Sequence, residues 1–423
     1  MTELTEITVV NDHAVVNGGQ ARVAVDTATG LARRGYRVNF FAGMGPADPS
    51  LGEAGVNVVL LDQADLLTDT SRLRAAARGL WNGQAADKLR ALLAKSDPRS
   101  AVVHCHGFAK SLSPAIGPVL TNSGVPLVFT MHESFLACPN GAFFDYQTKQ
   151  QCFRKPLGFS CLSTNCDARA LHHKAWRVAR QALLRTAGGL PKNLRDIIYI
   201  SESHLEVMRP YLPSGARLHH VSNPVDVALA PPVDSSQSDI FLFVGRLSAE
   251  KGCVLFAEAA AAAGAKAVFV GEGPERDAIA RANPGALITG WLSPEEVDSW
   301  IARARCLVFP SLWREPLGLV VLEAAARGVP TIAMRWGGPS ETILDGITGT
   351  LLDAADAGKL AAAIREMTPQ RAASLGRAAY ERYWSDPPTL AAHLDRLLAV
   401  YDCARNDRFP AEALKPDGLS GIL

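Results

Sequence analysis

The sequence predicts an α/β chain of two doubly wound domains, each a parallel sheet with helices on both faces. Three observations carry that reading. Short apolar runs rich in β-branched residues recur with helical stretches between them: EITVV, RVNFFAG, VNVVLLD, AVVHCHG, PLVFTMH, DIIYIS and RLHHVS in the first half, then IFLFVG, KAVFVG, ALITG, CLVFPS and PTIAM. Near-continuous apolar strands alternating with helices mark parallel sheets covered on both sides. The two series are separated by APPVDSSQSD, residues 230–239, whose prolines and polar tail read as a linker. Charge divides in the same way: 24 Lys and Arg stand against 17 Asp and Glu over residues 1–220, and 19 against 25 over the remainder. A basic front and an acidic back suggest domains with different ligands. The expected division is residues 1–225, residues 226–385, and a C-terminal helical segment, 386–423, packing back toward the first domain.

Length and composition bound the function. A chain of 423 residues, 48% hydrophobic, has ample apolar content for two cores, and its net charge of +1 gives no general pull toward nucleic acid. The opening MTELTEITVV lacks the basic and apolar regions of a secretory signal. No apolar run reaches the roughly 18–20 residues a spanning helix needs. The expectation is a cytoplasmic protein, at most peripheral at the inner face of the cell membrane.

Doubly wound sheets bind ligands outside the carboxyl ends of their strands, so the chemistry is sought in the loops there. In VVNGGQARVA, 15–24, paired Gly18 and Gly19 precede a helix expected near Ala21 and would let backbone amides approach an anion; a simple turn explains them equally well. HCHGF, 104–108, and FTMHESF, 129–135, place histidines after strands. A lone histidine is more often structural, but at a strand end facing a cleft His132 becomes a candidate polar contact or proton handler. In VGRLSAEKG, 244–252, Arg246 and Lys251 leave a strand together beside an entering helix, which suits a phosphate, although surface cations are usually only solvated.

The segment REPLGLVVLEAAARGVP, 314–330, holds two glutamates eight positions apart. Pro316 fits the start of a helix and Gly328 its end, so Glu315 belongs to the entrance loop and Glu323 lies about a turn inside. Attraction to the positive helix end, worth ~0.3–1 kcal/mol, explains Glu315 but not Glu323, whose apolar neighbours imply burial. A buried carboxylate needs partners, and ligand hydroxyls would serve.

Taken in order, the paired glycines, His132-Glu133, SNPVD (222–226), VGRLSAEKG, VGEGPE (270–275) and the E-x7-E segment strongly resemble the retaining glycosyltransferases of family 4. The resemblance covers nearly the whole chain and is most specific in the back half. It implies the GT-B architecture, two Rossmann-like domains facing an inter-domain cleft. It also implies transfer of a sugar from a nucleotide-sugar donor, of UDP or GDP type, to a glycan or lipid-linked acceptor bound by the front domain, as in surface polysaccharide assembly. By resemblance Glu323 would bind ribose hydroxyls, and Glu315 would contact the donor sugar near its reacting carbon. Arg246 and Lys251 would hold the diphosphate. Gly19, beside Gly18, would donate an amide to it, His132 would contact the donor sugar, and Leu317 and Gly318 would complete the donor loop. In RWGGPSE, 335–341, the Gly337 and Gly338 amides could approach sugar hydroxyls. No D-x-D occurs in the chain, so no cofactor beyond the donor is expected for catalysis. Two rivals are a nucleotide-sugar epimerase of the same architecture and a non-catalytic nucleotide-sugar or glycan binding protein.

Two features stand outside that set. Cys138, Cys152, Cys161 and Cys166 crowd an insert at about 133–168 and suggest a structural zinc, though only the last gap has a common ligand spacing. After it, RALHHKAWRVARQALLR, 169–185, places Leu171, Ala175, Val178, Ala182 and Leu183 in one stripe and Lys174, Arg177, Arg180 and Arg185 around it. Such a helix could lie on an anionic membrane surface or be an ordinary solvated face. Nucleic acid is a poor partner, because a single aromatic, Trp176, stands among the charges rather than a series for stacking.

Overall fold

The computed structural model describes residues 3–66 and 69–408. Seven parallel strands form the first sheet: β1 (Glu6–His13), β2 (Arg37–Met44), β3 (Asn57–Leu60), β4 (Ala101–Cys105), β5 (Leu127–Met131), and, beyond a small hairpin of β6 (Phe144–Asp145) and β7 (Gln150–Gln151), β8 (Asp196–Tyr199) and β9 (Arg217–His220). Six more form the second: β10 (Ile240–Val244), β11 (Lys266–Val270), β12 (Leu287–Gly290), β13 (Cys306–Phe309), β14 (Thr331–Met334) and β15 (Gly349–Leu352). The first runs 3-2-1-4-5-8-9 and the second 12-11-10-13-14-15. Each reverses direction once, between β1 and β4 and between β10 and β13. Ligands of such sheets bind at those switch points.

Alternation along the strands builds a core on each face. Ile7, Val9 and Phe40 pack on one side of the first sheet, and Val10, Phe41 and Met131 on the other. In the second sheet Phe241 and Phe243 join Phe256 and Phe269 on one face, while Leu242, Val268 and Leu307 face the opposite way. All twelve runs read from sequence are strands; β15 was not foreseen. It starts at a glycine on the sheet edge, and only Gly349 and Leu351 of its four residues are buried, so it lacks the apolar run that marked the others.

The helix Leu390–Arg408 lies against the first domain. Leu394, Leu397, Val400 and Tyr401 are buried there among Ile7, Phe40 and Val128, and Arg34 ties to Asp395 at 2.6 Å. The chain therefore crosses between sheets twice. The crossings run side by side, bonded from Val225 N–H to the Pro388 carbonyl at 2.8 Å. Residues 409–423 of the expected C-terminal segment lie outside the described residues.

Candidate functional site

The loops after β10 and β13 meet at the second switch point. Beyond Val244 the chain turns through Gly245 to Arg246, then a short turn, Ala249–Lys251, leads into the helix Cys253–Ala263. Gly252 is obligatory, having φ +69° with any Cβ 2.0 Å from the Pro310 carbonyl. Lys251 Nζ reaches back 2.5 Å to Glu315 Oε2. The same carboxylate accepts from Trp313 Nε1 at 2.7 Å and from the Ser311 hydroxyl at 3.4 Å. Trp336 Nε1 then fastens the Ser311 carbonyl at 3.0 Å. Neither tryptophan was singled out from sequence, although Trp313 stands two residues before Glu315. Arg246 is exposed, and its side chain makes no hydrogen bond or ion pair within the described chain. Its charge reaches Glu133 and Tyr146 of the first domain.

The helix after Glu315 begins at Leu319, not at Pro316, with Gly318 as its cap at φ +81°. Pro316 and Leu317 remain in the loop. Glu323 lies on that helix, Leu319–Ala326. Burial pushes its pKa up, and Arg22 of the first domain opposes the shift. The residue is half-buried, and its carboxylate has no hydrogen-bond partner within the described chain, so it is open to one from a ligand. One expectation is corrected. The Gly338 amide is already used, donating to the Glu315 carbonyl at 2.7 Å. The close stacking that makes this bond leaves no room for a side chain: a Cβ on Gly338 would sit 2.4 Å from Leu317 Cα.

Across the cleft, the helix Gly19–Arg33 begins two residues earlier than foreseen. Gly18 has an open flank, whereas a Cβ on Gly19 would stand 3.2 Å from Leu319 Cδ1, so the glycine loop abuts the start of the Glu323 helix. Gln20, next in line, donates to Asn11 Oδ1 and to the His106 carbonyl, each at 3.0 Å. His132, at the end of β5, is buried; its Nε2 lies 3.0 Å from His106 Nδ1. Burial lowers its pKa to about 3, so the imidazole is neutral at physiological pH. His132, Glu133, Asp12 and Gln20 line a cavity of about 20 Å³. Burial raises the Glu133 pKa, with Lys110 the largest opposing charge.

Three contacts hold the facing loops together. Ser201 Oγ donates to the Pro316 carbonyl. Glu341 accepts from the amides of Glu202 and Ser203 at 3.0 and 2.7 Å, and Arg314 Nε donates to Gln151 Oε1 at 3.1 Å.

Residues 17–229 match the family described as Glycosyltransferase Family 4, and residues 238–369 match Glycosyl transferases group 1. The chain belongs to the glycosyltransferases of family 4. Sucrose-phosphate synthase from Thermosynechococcus elongatus superposes with a TM-score of 0.68 and 19% identity, over 94% of this chain and 98% of its own. Anabaena Alr3699/HepE, in complex with UDP and glucose, gives 0.64 and 16% over 94% and 99%. These likenesses show the fold, the GT-B pair of Rossmann-like domains. Among relatives by sequence, a GDP-mannose-dependent alpha-mannosyltransferase of Corynebacterium glutamicum is 38% identical over 122 residues, 29% of each chain. A D-inositol 3-phosphate glycosyltransferase of Mycolicibacterium smegmatis is 27% identical over 95% of this chain and 90% of its own. The matched stretch thus spans under a third of the first relative and most of the second.

In this family 4 chain the insert after His132 gathers all four cysteines as free thiols. The zinc expectation meets a different arrangement. Among the described residues no three of these sulfurs lie within 4.8 Å of one another; only Asp196, His219 and Cys403 group so closely. Buried Lys174 Nζ lies 3.0 Å from Cys166 Sγ and 3.5 Å from Cys161 Sγ, two of the four. Burial works against that charge, yet the Cys166 and Cys161 sulfurs together offset it and hold the ammonium above its ordinary pKa.

The basic helix presents its faces differently from the stripe expected for it. The helix is Leu171–Arg185, and its buried residues are Lys174, Arg180, Gln181 and Leu184. The polar stripe faces inward, and Leu171 is exposed. Arg180 donates to the carbonyls of Ala109 and Pro139 at 2.7 and 3.3 Å, and Arg177 pairs with Asp167 at 2.7 Å. Arg180 and Arg177 are thereby tied to the loop after β4 and to the insert. No helix among the described residues is long and apolar enough to cross a membrane.

Proposed function

We propose that this protein is a retaining glycosyltransferase that moves a sugar from a UDP- or GDP-sugar to a glycan or lipid-linked acceptor, in assembly of a surface polysaccharide. The observation that carries the reading is the grouping at the second switch point. Lys251 holds Glu315 in place, the Arg246 side chain is unpaired among the described residues, and Glu323 is a half-buried carboxylate without a partner there. The Alr3699/HepE structures contain UDP, and the Corynebacterium relative is named for GDP-mannose; both support a nucleoside diphosphate donor.

In this reading Glu323 accepts from the ribose hydroxyls and Glu315 contacts the sugar near its anomeric carbon. Arg246 and Lys251 grip the diphosphate, with the Gly19 amide on its far side beside Gly18. Leu317 and Gly318 line the donor loop, and neutral His132 donates to or accepts from the sugar. When the bond between anomeric carbon and phosphate oxygen breaks, the bond electrons leave with the diphosphate. Fixed cations stabilise that charge as it develops. The acceptor hydroxyl attacks from the face of departure, and its proton passes to the leaving phosphate oxygen. No separate base is then required, and EDTA should leave the rate unchanged.

Thermal shift with UDP, GDP, ADP and CMP, with and without EDTA, tests the donor half. A nucleotide at 100 times its Kd should stabilise the chain by about 2.7 kcal/mol, and one base should win clearly. Absence of any shift would overturn the reading in favour of a non-catalytic relative. Release of free altered sugar without an acceptor would point to an epimerase.

A further inference from the structure

A groove of about 510 Å³ runs along the β6–β7 hairpin, outside the residues assigned to the donor. That size lies within the range of small-ligand sites. The hairpin is set before any ligand arrives. Buried Asp145 accepts from the Gln147 amide at 3.1 Å and from Arg154 Nη1 at 2.9 Å, and the Cys152 amide donates to the Phe143 carbonyl at 2.7 Å.

The groove's walls carry a distinctive chemistry. Phe153 is 79% exposed, beside the amides of Gln150 and Gln151 and the hydroxyls of Thr148 and Ser160. A ring left in water adds nothing to the core. A flat ring among amides and hydroxyls suits a sugar, whose C–H face covers the ring while its hydroxyls meet the polar groups. Charge adds a second requirement. Arg154 is neutralised by Asp145, whereas Lys155, also on the wall, is exposed and has no ion pair among the described residues. The lining alone is therefore positive by one charge, and Arg314 beside the Phe153 ring adds to it.

Position links it to the transfer site. Arg314, adjacent to Glu315, bonds Gln151, and its guanidinium carbon stands 5.6 Å from the centre of the Phe153 ring. The groove opens where the donor loop touches the insert. We propose that it is a second acceptor subsite, holding a negatively charged sugar of an oligosaccharide acceptor behind the unit whose hydroxyl reacts. This rests on the transferase reading and extends it to the class of acceptor.

The test is titration calorimetry of the full chain with six-sugar oligosaccharides of three kinds: neutral, uronate-bearing and phosphorylated. At low salt at least one acidic kind should bind tenfold tighter than the neutral ones, and the kind preferred identifies the source of the charge. Lys155→Ala should abolish the preference, and Phe153→Ala should weaken the preferred kind about tenfold. Both variants should retain the wild-type circular dichroism and nucleotide thermal shift. Equal binding of acidic and neutral kinds, no binding, or a preference untouched by the variants would overturn the subsite. So would binding to anionic phosphatidylglycerol vesicles, lost in Phe153→Ala, with no oligosaccharide binding. A nucleotide shift without acidic preference removes the subsite and leaves the transferase reading standing. Acidic preference without any nucleotide shift does the reverse.

Discussion

Glu315 and Glu323 are two carboxylates on one short segment, held in opposite ways. Glu315 is bonded by Lys251, Trp313 and Ser311, so its position is set before a donor arrives. Glu323 has only burial and the distant charge of Arg22. The two should therefore fail differently. Glu315→Gln keeps the volume and removes the charge: transfer should fall by at least a hundredfold while the nucleotide thermal shift stays near wild type. Glu323→Ala should instead raise the nucleotide Kd about tenfold or more, the loss of one or two hydrogen bonds to a charged group at ~1.5–3 kcal/mol each. Steady-state rates read beside thermal shifts separate the two, and transfer that survives in Glu315→Gln would remove that residue from the reaction. His132, neutral because it is buried, is suited to accept or donate one hydrogen bond without carrying charge.

Among the elements, the helix Leu171–Arg185 shows where sequence reasoning runs out. Its spacing marks the basic residues as the solvated side, yet Lys174, Arg180 and Gln181 are buried and Leu171 is exposed. The reason is the set of backbone carbonyls that meets this face: Arg180 donates to Ala109 and Pro139, Gln181 to Leu136 and Arg185 to Ala137. Hydropathy periodicity does not register carbonyls as partners. Arg180→Met should cost about 2–3 kcal/mol in urea unfolding, because the Ala109 and Pro139 carbonyls lose their donor. An ordinary solvated arginine would leave the midpoint within ~0.5 kcal/mol. The strands were far more legible. Twelve apolar runs identified twelve strands, and the loops after them proved to be the loops at both switch points. What the sequence did not reveal was how those loops are braced. Trp336 on Ser311, Glu341 on the helix beginning at Glu202, and Gln20 on the His106 carbonyl are long-range pairings with no local pattern to announce them.

For the whole molecule, buried histidines set the response to acid. His104, His106, His132 and His204 lie in the first domain, and His393 is on the helix that returns to it. His104 bonds Tyr401 at 2.7 Å, and His393 lies 3.3 Å from the Thr27 hydroxyl. Burial lowers all five pKa values, His132 to about 3 and His204 and His393 to about 4. The unfolded chain takes up these protons near pH 6.5, before the folded chain does. Stability is therefore full above that pH and falls as pH drops toward 4, by about 1.4 kcal/mol per histidine per unit. The urea midpoint at pH 5.5 should lie well below that at pH 7.5; equal midpoints would mean that these rings are not held neutral.

The twin crossing has a mechanical meaning. A lobe hung from one thread can swivel in any direction. Two threads laid side by side and bonded at Val225 and Pro388 resist twisting and permit bending about the line they share. Bending about that line would keep Gly19 facing Leu319, where a Cβ would stand 3.2 Å from Cδ1. A cut in the first thread, between residues 226 and 239, would sever the polypeptide without parting the lobes. The second thread ends in Leu394, Leu397 and Tyr401, embedded in the first lobe's interior, and it would still carry the load.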